Sequence, residues 1–123
     1  MAAPNIVNVS SIYGRTVGYT LGTTLNQSYV ACPSNSNKVL KINNILISNT
    51  GDTVEEVTVS FYDNTFTSSF VLANAISIPP SSSLVILGKE SSIYLEEGDA
   101  IQAGASRVNI LDIIISYEEL TDA

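Results

Sequence analysis

From Ile76 to Ala103 the chain reads as strand, Pro-Pro break, strand, strand, acidic glycine turn, strand, and no long apolar period of 3.6 residues competes with it. In ISIPPSSSLVIL, Pro79 and Pro80 each lack the N–H that a ladder requires, so the strand ends there. In SIYLEEGDAIQAGA, the Glu-Glu-Gly-Asp run turns the chain between Ile93–Leu95 and the alternating Ile101, Ala103 and Ala105. A strand that buries every second side chain needs a second layer to bury it against. Turn signals recur roughly every 8–12 residues and imply about eight strands, hence an all-β fold, a two-sheet antiparallel β-sandwich that is jelly-roll-like. A closed barrel is the alternative, and the pattern does not disclose strand order.

Upstream, Ile6, Val7, Val9 and Ile12 form a loose apolar start, and Gly14, Gly18 and Gly22 punctuate a Thr/Tyr-rich stretch. Residues 1–24 therefore read either as an extended N-terminal arm or as an edge strand. Leu25 to Cys32 is a strand that PSNSN ends. From Lys38 to Asn49 the apolar alternation changes phase at Asn43-Asn44, which predicts a β-bulge or a crossing between sheets. The run NTGDT, with Gly51 available for a positive φ, predicts a hairpin from that strand into a return strand with Val57, Val59 and Phe61 inward. Asp63 to Ser69 reads as a polar loop, and Phe70 to Ile78 as one bent strand or two short ones. Leu84 to Leu87 reads as a strand covered on both faces, and Ile110 to Tyr117 as a central strand. The sandwich is thus expected over residues 25–117, with 118–123 a polar C-terminal tail. Its expected core is Ile45, Ile47, Val57, Val59, Phe61, Leu84, Ile86, Ile101, Ile113 and Ile115.

Composition narrows the function. At 123 residues the chain fits one domain that folds without a disulfide or a metal. The net charge of −7, with only five cations, argues against nucleic acid as a partner, because phosphates call for clustered Lys and Arg. A mean hydropathy of +0.25 with 14% charged residues is apolar for a free monomer, so we expect copies of itself or a partner to cover part of the surface. No apolar run of about 18 residues and no basic leader is present, so we expect cytoplasmic synthesis and no membrane anchor.

Catalytic equipment is sparse. Histidine is absent, and no motif beside Lys41 or Lys89 would make either one the base that a serine nucleophile needs. The acidic clusters at Asp52, Glu55 and Glu56, at Glu96, Glu97 and Asp99, and at the C-terminus all fall in turns or ends, where solvated carboxylates are expected rather than a catalytic dyad. Glu96, Glu97 and Asp99 offer oxygens suited to Ca²⁺ but not the spacing of an EF-hand, so no metal and no cofactor is expected. Cys32 is expected to be a small strand residue. The six tyrosines would suit a sugar-stacking face or a protein interface.

The runs KVLKINNILISNTGDTVEEVTVSFYDN, ISIPPSSSLVILGKESSIYLEEGDAIQA and ILDIIISYEEL together resemble small β-sandwich virion structural proteins of tailed bacteriophages, notably those of marine bacteria and cyanobacteria. That resemblance implies a non-enzymatic particle component, made in the host cytoplasm and carried in the virion. Several copies would stand around a symmetry axis, a trimer being the expected oligomer, either cementing the capsid by contact with the major capsid protein or building the tail, neck, baseplate or fibre. A glycan-binding module is the further alternative. Ile6, Val9, Ile12, Tyr13, Arg15 and Tyr19, in the stretch before the resembling runs, are the expected contacts with capsid or neighbouring subunits.

Overall fold

Strands β1 (Val9–Thr20), β2 (Gln27–Ala31), β3 (Lys38–Asn49), β4 (Glu55–Asp63), β5 (Ser68–Ile78), β6 (Ser83–Leu87), β7 (Ile93–Leu95), β8 (Ala100–Ala105) and β9 (Leu111–Asp122) pair antiparallel into two sheets. The computed structural model describes residues 9–24 and 27–122. One sheet runs β1-β9-β3-β6, with β7 pairing the first half of β3; the other runs β2-β8-β4-β5. A single 3₁₀ turn, Lys89–Ser91, separates β6 from β7. Counted as one interrupted strand, β6 and β7 make each sheet four-stranded, and the strand orders are those of a jelly roll. The sheets stay separate, so the fold is the expected sandwich and not the closed barrel.

The phase change in β3 is a bulge. Its pairing with β9 shifts between Ile42 and Asn44, so Ile42 and Ile45 both point into the core although they are an odd number of residues apart. The same point divides the strand's outer partners: β7 pairs Leu40–Ile42 and β6 pairs Ile45–Ser48.

Four expectations are corrected. The segment after Asn49 is not a hairpin, because β3 and β4 lie in different sheets. It is an arch across the sandwich, held by the Asn49 side chain, whose Nδ2 donates to the carbonyls of Thr53 at 2.8 Å and Ile78 at 2.9 Å while its Oδ1 accepts the Gly51 N–H. Gly51 needs no positive φ there; among the described glycines only Gly98 has one, at 90°. The hairpin of this half of the chain joins β4 to β5 instead, through residues 64–67, with Phe66 exposed and Thr67 at φ 53°. In β6, Leu84 and Val85 are exposed rather than covered on both faces, because this strand is a sheet edge. Residues 118–122 are not a tail: they continue β9, pairing with β1 on one side and, from Glu118 to Thr121, with β3 on the other.

The core holds Ile45, Ile47, Val57, Val59, Ile101, Ile113 and Ile115 at full burial, as their alternation predicts. Phe61 and Ile86 are half-buried and pack against it, whereas Leu84 does not belong to it. Leu21, Ile42, Ile78, Leu95 and Leu111 complete it. β8 is buried along its whole length because it lies between two strands and is built mainly of Ala and Gly. Its one polar side chain, Gln102, accepts the Ser69 hydroxyl from across the sheet at 2.9 Å.

Candidate assembly surfaces

β1 is the edge of its sheet, paired with β9 along its length. Of the six residues expected to make contacts, Ile6 lies outside the described residues and Val9 opens β1. Ile12 and Tyr13 are exposed. Tyr13 stands opposite Glu119, and Arg15 opposite Tyr117. The Arg15 guanidinium pairs with Glu119 and sits 6.0 Å from the centre of the Tyr13 ring, within cation–π range. Lys38 Nζ reaches the other Glu119 oxygen at 3.1 Å. Burial pushes the Glu119 carboxyl up, but the hydrogen bonds and charges of Lys38 and Arg15 outweigh it and hold the group below its ordinary value. Arg15 is therefore engaged in fastening β1 to β9, while Ile12 and Tyr13 remain open to a partner. Tyr19 is turned against Tyr29 of β2, ring centres 5.2 Å apart and tilted by 45°, bridging the two sheets at this flank. Of the exposed tyrosines, Tyr13 and Tyr19 lie on β1 and Tyr94 on β7.

The acidic turns are only in part the solvated loops that their composition suggests, with Asp52 and Glu56 exposed. Glu55, Glu97 and Asp99 are buried. Asp99 accepts the backbone N–H of Asn64 at 2.9 Å through Oδ1 and that of Glu96 at 3.0 Å through Oδ2. Glu97 Oε2 accepts the Asn37 N–H at 2.8 Å. Together they tie the β2–β3 and β4–β5 connections to the turn at Gly98, so these oxygens serve backbone donors rather than a cation. Among the described residues no group of three His, Cys, Asp or Glu side chains converges as a metal site would require. Sequence reasoning missed these pins because a carboxylate that caps backbone amides and one that faces water occur in the same Gly-containing turns.

Glu55 does the same work at the arch. It accepts the hydroxyls of Thr53 and Ser106, each at 2.7 Å, with Arg107 at 3.4 Å. The bonds from Thr53 and Ser106, and then the Arg107 charge, hold its carboxyl below the ordinary value of 4.5. A depressed folded pKa contributes stability that is present above 4.5 and is lost as pH falls through the lower folded value. The denaturant midpoint should therefore hold steady above this pH and fall below it. Glu55→Gln should start from a lower midpoint and show a shallower acid dependence; an acid profile identical to that of the parent would show that Glu55 is not one of the groups responsible.

Two further features bear on chemistry. A shallow concavity of about 270 Å³ on the outer face of β4, β5 and β8 is lined by Glu56, Thr58, Asn74, Ala75 and Ser106 among others. Its hydroxyls are already engaged: Ser106 Oγ donates to Glu55 and accepts the Glu56 N–H, and Thr58 Oγ1 accepts the N–H of Ala75, which has φ 50°. Cys32, buried just past β2, donates to the Lys38 carbonyl at 3.2 Å. Burial, against a lowering by the Ser36 hydroxyl, pushes its pKa up to about 11, so the thiol stays protonated at neutral pH.

No protein-family model and no curated protein matches the chain. Among solved structures, the fold is similar to a chain of the disulfide-linked pili that form Bacillus endospore appendages, with a TM-score of 0.55 and 16% identity over 92% of this chain and 88% of that one. It is also similar to a chain of the acidic stable capsid of Helicobacter pylori bacteriophage KHP30, with a TM-score of 0.51 and 12% identity over 94% of this chain and 91% of that one. At these identities the likeness is one of fold, extending nearly end to end in both pairs.

Proposed function

We propose that this chain is a non-enzymatic structural subunit of a virion, and specifically a decoration protein that binds the assembled capsid of a phage and stabilises it by non-covalent contact. The observation that carries this reading is the end-to-end match of one small jelly roll to a chain of a phage capsid, with Ile12 and Tyr13 left open on the β1 edge beside it. The site chemistry agrees: the buried carboxylates accept the protein's own backbone amides and, at Glu55, its hydroxyls, and the hydroxyls at the concavity hold its own strands. What such a shell offers a partner is surface, and contact at many equivalent lattice positions stabilises a capsid by mass action.

In this reading Ile12 and Tyr13 face the major capsid protein. The purified protein should bind emptied phage capsids to a saturating ratio set by the lattice and raise the temperature at which they open. Ile12→Glu, which adds a charge at an exposed position, should weaken that binding without lowering the subunit's own stability. Copies confined to the tail, or tight glycan binding with no affinity for capsids, would overturn the decoration reading.

The similarity to an appendage chain supports a second reading, a subunit of an extracellular filament. It would have to dispense with disulfide linkage through the protein's single cysteine, whose thiol is buried and protonated. Filaments formed by the purified protein without capsids would favour it.

A further inference from the structure

The flank opposite β1 is formed by β5 and β6, each the edge of its own sheet, joined through the turn at Pro79 and Pro80. Directly opposed residues of an antiparallel pair point to the same side of the sheet. Phe70 stands opposite Phe61, Ile76 opposite Val57 and Leu84 opposite Ile47; Val57 and Ile47 lie in the core and Phe61 packs against it. Yet Phe70 is 51% exposed, Ile76 38% and Leu84 36%. The register thus aims three large apolar side chains into the sandwich, and the sandwich ends before it covers them. They are the rim of an unfinished core rather than scattered surface residues.

Charge marks the same flank. All five cations and twelve acids of the chain lie outside residues 64–88, the stretch that supplies both edge strands. Natural sheet edges are commonly protected from pairing by lysines, prolines or inward charges. Neither β5 nor β6 contains any of these. The pairing of β5 with β4 is irregular at two places, around Ala75 and between Ala73 and Val71, and these bulges are what interrupt the open edge.

From these observations we infer that the β5–β6 flank is the face through which this chain binds further copies of itself. Copies carrying a net charge of −7 repel one another, and this is the surface on which they meet without bringing carboxylates together. A basic partner would instead be drawn to the acidic ends of the molecule. Taking full residue areas on the order of 150–250 Å², the rim with Phe66, Val71 and Val85 presents roughly 460–770 Å², the upper end of which approaches the roughly 800 Å² that each partner gives to a standard interface. A two-fold contact closes as a dimer and a three-fold ring as a trimer, and both bury this flank.

The inference deepens the structural-subunit reading but does not depend on capsid binding, and its test contains no capsid. Sedimentation equilibrium of the full chain at micromolar concentration should give a mass above the 13.1 kDa monomer. Phe70→Lys and Leu84→Lys should each weaken association at least about tenfold, as loss of a central apolar anchor does. Val108→Lys, at an exposed position in the β8–β9 connection, should leave association unchanged. Circular dichroism checks that each variant is folded. Val71→Lys, whose side chain points to the outer face of its sheet, replaces any rim variant that is not. A parent protein that stays monomeric to high concentration, or folded rim variants that associate as the parent does, would overturn the inference. A monomeric parent whose rim variants lose capsid binding would assign the flank to the capsid instead. An associating parent that ignores capsids would leave the flank as the self-contact and overturn only the decoration reading.

Discussion

Ile47→Ala should lower the unfolding free energy by about 2–5 kcal/mol, the range for emptying a buried branched aliphatic site. Ile47 is wholly buried on β3, opposite Ile113 of the central strand β9 and Leu84 of β6, and its methyl groups fill the layer between the sheets. The neighbouring Leu46 points to the other side of the same strand and is only half-buried. Leu46→Ala should therefore cost less, about 1 kcal/mol or below, since much of that side chain already meets water. Urea denaturation followed by circular dichroism gives both numbers. Equal costs would mean that the two faces of β3 are equivalent, which its register with β9 forbids.

Asp99→Ala should cost about 3–5 kcal/mol, because it removes two charge-assisted bonds and leaves the N–H groups of Asn64 and Glu96 without their acceptor. Asp99 is buried, so water does not readily take the carboxylate's place. Asp99→Asn keeps one acceptor oxygen and should lose about half as much. The same denaturation experiment at neutral pH separates the two variants. An alanine variant within about 1 kcal/mol of the parent would show that the Glu96–Asp99 turn is not held by this carboxylate. Here a turn whose composition resembles a solvated loop or a cation site is a structural fastening between three connections.

The candidate surfaces were legible in different degrees. Ile12 and Tyr13 stand out in the sequence as apolar or aromatic residues with no place in the alternating core pattern, and they are exposed on the β1 edge. The β5–β6 rim was not legible, because Phe70, Ile76 and Leu84 alternate as core residues do. Only the position of their strands at the edges of two sheets leaves them open. A clue was present in the absence of every charge between Asn64 and Gly88, which a pattern of apolar alternation does not weigh.

Local chemistry determined the strands themselves: prolines end them, Gly98 turns the chain, and the changed phase at Asn43-Asn44 announces the bulge in β3. It also determined most of the core, since a residue that alternates inward does so whichever strand lies beside it. Partnership was decided elsewhere. The inward pattern of β3 and β4 is the same for a hairpin and for an arch, because either arrangement buries one face of each strand. What selected the arch was the pairing of β3 with β9, far along the chain, and with β6 and β7, together with the Asn49 amide spanning to Ile78. For the same reason Glu118 to Thr121, polar and terminal in sequence, became strand: β1 and β3 offered their backbone groups on both sides, and a ladder satisfies those groups whatever the side chains are. Side-chain period is a property of one segment, whereas hydrogen-bond partners belong to two, and the tertiary structure alone brings the second one into place.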